Sequence, residues 1–118
     1  MVRHSIVHVE IPAVDQQNTA RFYKEVFGWD CGQSDETVPY TRFQSGSIGG
    51  GFTRLSGMYA PGEVLLYIDS DDLEADVQRI KSHGGKILMP RLDVPGFGSL
   101  ALFIDPSGNR LALWEKTA

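Results

Sequence analysis

The sequence predicts an α+β domain made of two consecutive βαβββ modules, and three observations carry that prediction. Two strands of alternating apolar character are each followed by a helix that ends at glycine. Three short strand-like runs follow each helix. Landmarks also recur at matching offsets, His8 standing 20 positions before Gly28 and Glu63 standing 21 before Gly84. A repeat of about 55 residues in two copies is too long and too few for a solenoid. The halves therefore read as paired modules of one domain spanning 1–118, at about 1–57 and about 60–118.

In the first module, Ile6-Val-His-Val-Glu-Ile alternates, with Val7, Val9 and Ile11 on one face and Ile6, His8 and Glu10 on the other. Pro12 ends the ladder, Asp15 caps a helix carrying Ala20, Phe22, Tyr23, Val26 and Phe27, and Gly28 supplies a left-handed stop. Trp29–Cys31, Tyr40–Phe43 and Ile48–Leu55 read as strands separated by Gly, Ser, Asp and Pro turns. In the second module, Glu63–Ile68 alternates with Val64, Leu66 and Ile68 on one face and Glu63, Leu65 and Tyr67 on the other. Asp69 or Ser70 caps a helix with the stripe Leu73, Val77, Ile80, and Gly84-Gly85 ends it. Lys86–Met89, Ser99–Ile104 and Arg110–Trp114 complete the set, the last two joined by the turn Asp105-Pro-Ser-Gly. Arg91, Asp93 and Val94–Gly98 read as a loop, either a lid or a plain connection.

Composition narrows the function. No apolar run approaches the ~20 residues of a membrane-spanning helix, and the first residues lack the long apolar stretch of a secretory signal, so a cytoplasmic protein is expected. One cysteine, Cys31, cannot form an intrachain disulfide or a cysteine-cluster metal site, and nothing near it marks an activated thiol. With 15 acidic against 11 basic side chains and no Lys/Arg run, a nucleic-acid partner is not expected. Small-molecule chemistry or binding remains. The run Gly49-Gly50-Gly51 lacks the spacing of a phosphate loop and suits a bulge or the close approach of a ligand.

A sheet covered by helices buries one face and leaves the other for a ligand. Alternation assigns Leu100, Leu102, Ile104, Leu111 and Leu113 to the helix side, and Ala101, Phe103, Arg110, Ala112 and Trp114 to the other. The uncovered face thus collects His8, Glu10, Glu63, Tyr67, Phe103, Arg110 and Trp114, with Phe52 as a further aromatic wall. Aromatics mixed with opposite charges make a pocket composition.

The double repeat, His8 in Ile-Val-His-Val-Glu-Ile, the segment Arg21-Phe-Tyr-Lys with Phe27-Gly-Trp, and the closing Asp105-Pro-Ser-Gly-Asn-Arg-Leu-Ala-Leu-Trp resemble the vicinal oxygen chelate superfamily. That group holds glyoxalase I, the bleomycin-resistance proteins and the extradiol dioxygenases. Within it the chain is similar to small proteins related to lactoylglutathione lyase, through Ile11–Asp15 and Ile48–Phe52. The resemblance implies paired modules whose sheets curl into a cup with helices outside, often as a homodimer. It also implies a divalent metal held by one ligand on the first strand of each module and a carboxylate on the last.

His8 and Glu63 stand at the first-strand positions of that metal site. The other two positions fail, one occupied by Ala112 and one falling in Ile48-Gly-Gly-Gly-Phe. Two ligands make a weak site, so no tightly bound metal is expected. The functional expectation is an enzyme of lyase or isomerase type acting on a small oxygenated metabolite, with His8, Glu10 and Glu63 as acid and base and Phe52, Tyr67, Phe103, Arg110 and Trp114 contacting substrate. The alternative is a non-catalytic binding or sequestering protein of the bleomycin-resistance kind.

Overall fold

A computed structural model describes residues 4–32 and 40–117. The chain divides into two compact units, His8–Leu65 and Met1–Val7 with Leu66–Ala118. The start of the chain thus counts with the second repeat, where Asp69 N–H donates to the Ser5 carbonyl at 2.8 Å and His4 Nε2 lies 3.1 Å from Asp76 Oδ2. Among the described residues no helix is long and apolar enough to cross a membrane.

The first repeat runs β1 (Ile6–Pro12), α1 (Gln16–Phe27), β2 (Asp30–Cys31), β3 (Thr41–Ser45) and β4 (Ile48–Thr53). Asp15 caps α1 by accepting from the Asn18 N–H, and Gly28, at φ 74°, closes it, as the sequence predicts. The turn expected between β2 and β3 lies outside the described residues. β1 pairs parallel with β4, β3 antiparallel with β4, and β2 antiparallel with β3. Val9 and Ile11 pack with Ala13, Ala20, Phe43 and Phe52 beneath α1, where Tyr23 and Trp29 extend the aromatic stack.

The second repeat has the same plan: β5 (Leu65–Asp69), α2 (Leu73–Ser82), β6 (Lys86–Val94), β7 (Gly98–Ile104) and β8 (Arg110–Lys116). β5 pairs parallel with β8, β7 antiparallel with β8, and β6 antiparallel with β7. The mixed α+β class and the duplicated βαβββ order are both as predicted. The cap of α2 is Asp72, which accepts from Ala75 N–H, rather than Asp69 or Ser70. Asp69 ends β5, and Ser70 Oγ instead donates to Asp76 Oδ2 at 2.6 Å.

Three sequence expectations are corrected. Phe103 and Ala101 belong to the helix side, packed with Leu73, Val77 and Leu113 under α2, whereas Leu100 and Leu102 lie opposite Trp114 and Ala112 on the other face. Ile104, opposite Arg110, shares that second face. Nearly every residue of β7 is buried, so apolar alternation carries no information about which face the helix covers. Phe52, 0% exposed, stacked on the Tyr23 ring and tilted against that of Phe43, is core as well and lines no opening. Arg91–Val94 are not a loop but the end of β6, tied by Arg91 Nε to Asp93 Oδ1 at 2.9 Å and Ser99 Oγ to the same oxygen at 2.6 Å. A register shift between Met89 and Leu92 accommodates Pro90, as a bulge on a strand paired on one side only allows.

Phe103→Ala should cost about 3–5 kcal/mol of stability through the cavity it leaves. Urea unfolding measures it, and a ligand contact on an open face would lose far less.

Candidate functional site

β1 puts His8 and Glu10 on one face, two residues apart, where their Cα atoms stand about 6.6 Å from each other. The side chains lean together until His8 Nε2 lies 2.7 Å from Glu10 Oε1. Tyr40, one residue before β3, donates its hydroxyl to the same Oε1 at 2.9 Å and stands 3.1 Å from His8 Nε2. Glycine makes this possible. Gly51 lies opposite Glu10 in the β1–β4 register, and a Cβ there would overlap the Tyr40 ring. The bare backbone of β4 is the floor on which that ring lies, and the close approach read into the glycine run is made by a tyrosine of this chain.

Glu10 is 6% exposed. An ionised carboxylate only accepts, so the Tyr40 hydroxyl and the His8 Nε2–H both donate to Oε1. The second oxygen, Oε2, is buried and has no hydrogen-bond partner among the described residues; the same holds for Thr53 Oγ1. Leaving such a group unpaired costs about 1–3 kcal/mol, more where it carries charge. Burial, and then the Glu10 charge beside it, push the Tyr40 phenol well above its ordinary pKa, so Tyr40 keeps its proton and serves as a fixed donor. A carboxylate with one oxygen clamped by two donors and the other buried and open can take a proton from, or accept a hydrogen bond from, a group placed against it.

Of the residues singled out from sequence, the structure brings His8 and Glu10 together. Glu63 lies before β5, exposed, in a turn closed by its own N–H donating to the Ala60 carbonyl at 2.9 Å. Tyr67 and Trp114 lie on the face of the second unit away from α2, their rings edge-on with centroids 6.4 Å apart, and Arg110 shares that face. Phe52 and Phe103 are core. Tyr40 and Thr53 were not foreseen. Tyr40 has no periodic signal, although the glycine run opposite it was a clue that something must lie close to β4.

The metal site that the family resemblance implies does not fit these side chains. His8 Nε2 is engaged at 2.7 Å by Glu10 Oε1, a carboxylate of its own strand. Ala112, fully buried, stands at the fourth ligand position, and Gly49–Gly51 supply no donor at the other. Among the described residues no three His, Cys, Asp or Glu side chains gather. No step below is routed through a metal.

The model of the Glyoxalase/Bleomycin resistance protein/Dioxygenase superfamily matches residues 5–113. A glyoxylase-like domain-containing protein of Didymella fabae is 30% identical over 125 residues, covering 98% of both chains. CFP32 of Mycobacterium tuberculosis is 28% identical over 116 residues, which are 91% of this chain but 44% of that protein. The chain therefore spans about half the length of the first of its curated relatives. Methylmalonyl-CoA epimerase from Mycobacterium tuberculosis superposes with a TM-score of 0.73 at 14% identity, over 96% of this chain and 88% of that one, a likeness of fold.

Tyr40 gives the site a pH signature. Its folded pKa lies above the unfolded value of about 10, so the unfolded chain loses that proton first as pH rises. The stabilisation is complete below pH ~10 and is lost above it. In urea titrations from pH 9 to above 11, the wild type should lose stability more steeply than Tyr40→Phe; parallel curves would contradict the clamp.

Proposed function

The chain belongs to the glyoxalase/bleomycin resistance protein/dioxygenase superfamily, and from that premise we propose that it is an acid–base enzyme of lyase or isomerase type acting on a small oxygenated metabolite, with Glu10 as the base. The observation that carries this reading is the Glu10 carboxylate, with Oε1 held by Tyr40 and His8 and Oε2 buried without a partner among the described residues. A general base must sit within about 2.6–3.2 Å of the group it deprotonates, and a carboxylate that cannot rotate holds that distance at no cost when substrate arrives. The reaction suited to a lone oriented carboxylate is removal of a proton from carbon next to a carbonyl.

Tyr40 orients and stays protonated. His8, whose side chain is 33% exposed, holds Oε1 from the solvent side and orients the carboxylate together with Tyr40. Tyr67, Arg110 and Trp114 are proposed ligand contacts of the second unit. Glu63 is given no role in proton transfer, because it stands exposed ahead of the strand. A cytoplasmic setting suits the single free thiol Cys31.

Glu10→Gln should lower turnover about 10²–10⁴-fold, the usual worth of a general base, while ligand affinity changes only a few fold. The assay is deuterium incorporation into small ketones in D2O, followed by proton NMR, beside ligand titration by calorimetry. Binding without exchange in the wild type would make the chain a non-catalytic binding protein.

A homodimer is part of the same proposal. On α1, Phe22, Val26 and Phe27 are 54, 57 and 60% exposed, an apolar patch that a second copy would cover, and CFP32 has more than twice the chain to work with. Light scattering at micromolar concentration should show a particle of two chains, and a monomer there would count against it.

A further inference from the structure

We propose that Thr53 is the second polar contact of the Glu10 site, its hydroxyl holding the carbonyl oxygen of a small ketone or aldehyde whose neighbouring C–H faces Glu10 Oε2; this rests on the reading of Glu10 as the base. The β1–β4 register sets Gly51 opposite Glu10 and Thr53 opposite Pro12, so Thr53 and Glu10 share the face turned away from α1. Phe52 between them points the other way into the core, which fixes the alternation. Both residues are 6% exposed, and Glu10 Oε2 and Thr53 Oγ1 are the two buried side-chain atoms without a hydrogen-bond partner among the described residues. That they fall on one face of one strand pair is the juxtaposition that points to a shared ligand.

Strand spacing separates their Cα atoms by about 8 Å. With both side chains rising from one face, a carbonyl compound, whose α-carbon and oxygen lie about 2.4 Å apart and each make one contact of about 3 Å, reaches from one polar atom to the other. The two ends are complementary in kind, a donor for the oxygen and an acceptor for the proton. Glu10 takes the α-proton, the C–H pair becomes the carbon–carbon double bond, and the carbonyl pair moves onto oxygen as an enolate held by the Thr53 O–H. Return of the proton from Glu10 to carbon restores the carbonyl, and in D2O the returned nucleus is deuterium whenever the protonated carboxyl has exchanged with solvent between the two steps.

The full-length chain, Glu10→Gln, Thr53→Val and Thr53→Ser are compared on dihydroxyacetone and pyruvate in D2O by proton NMR, with thermal unfolding of each. Thr53→Val should lose about a hundredfold in exchange, Thr53→Ser should stay within about threefold of wild type, and the valine variant should melt no lower than wild type because the hydroxyl it loses has no partner among the described residues. If Glu10→Gln is dead while Thr53→Val exchanges at the wild-type rate, the role of Thr53 is wrong and that of Glu10 stands. If Thr53→Val melts several degrees lower, its hydroxyl is structural and the proposal falls. If wild type and Glu10→Gln are indistinguishable, including no exchange by either, the base itself is wrong and the inference goes with it.

Discussion

The site depends on a buried carboxylate whose two oxygens are treated differently. Glu10 Oε1 accepts from Tyr40 and lies against His8, and Oε2 is enclosed without a partner among the described residues. Each donor lowers the cost of keeping the charge out of water, and together they remove the rotational freedom that would blur the position of the second oxygen. Tyr40 can serve because β4 presents glycine where its ring must lie. A backbone position that shows no chemistry in itself is therefore what allows the acidic group to be held.

The two repeats share a topology and differ in what fills it. In the first, the strand face away from the helix carries His8, Glu10, Gly51 and Thr53, polar or bare. In the second, the corresponding face carries Tyr67, Leu100, Leu102, Ala112 and Trp114, mostly apolar and aromatic. Both helix sides, by contrast, are ordinary apolar cores, aromatic under α1 and largely aliphatic under α2. Duplication copies the scaffold because helix-on-sheet burial imposes the same demands twice. The faces away from the helices bear no such common demand and differ, polar or bare in the first unit and mostly apolar in the second.

Superfamily membership sets the fold and does not dictate the chemistry of the site. The donors that the family resemblance calls for are missing at Ala112 and along Gly49–Gly51, and the histidine at the first ligand position donates its Nε2–H to a carboxylate of its own strand.

Local chemistry written along the chain was enough to determine the class, the repeat, the ends of α1 and the facing of β1 and β8. Asp15, Gly28 and the alternation of His8 with Val9 act over a few residues, where backbone sterics and one hydrogen bond decide the outcome. The facing of β7 was not legible, since the strand is buried on both sides and its one polar side chain, Ser99, is buried as well. Nor was Glu63 legible as exposed, because a strand pattern and the end of a turn look alike in a short run. Tyr40 joins Glu10 from 30 positions away and Thr53 shares its face across a strand pair. Only the tertiary structure could bring them together, because which side chains meet across a sheet is set by strand order and register, and these depend on contacts distant in sequence.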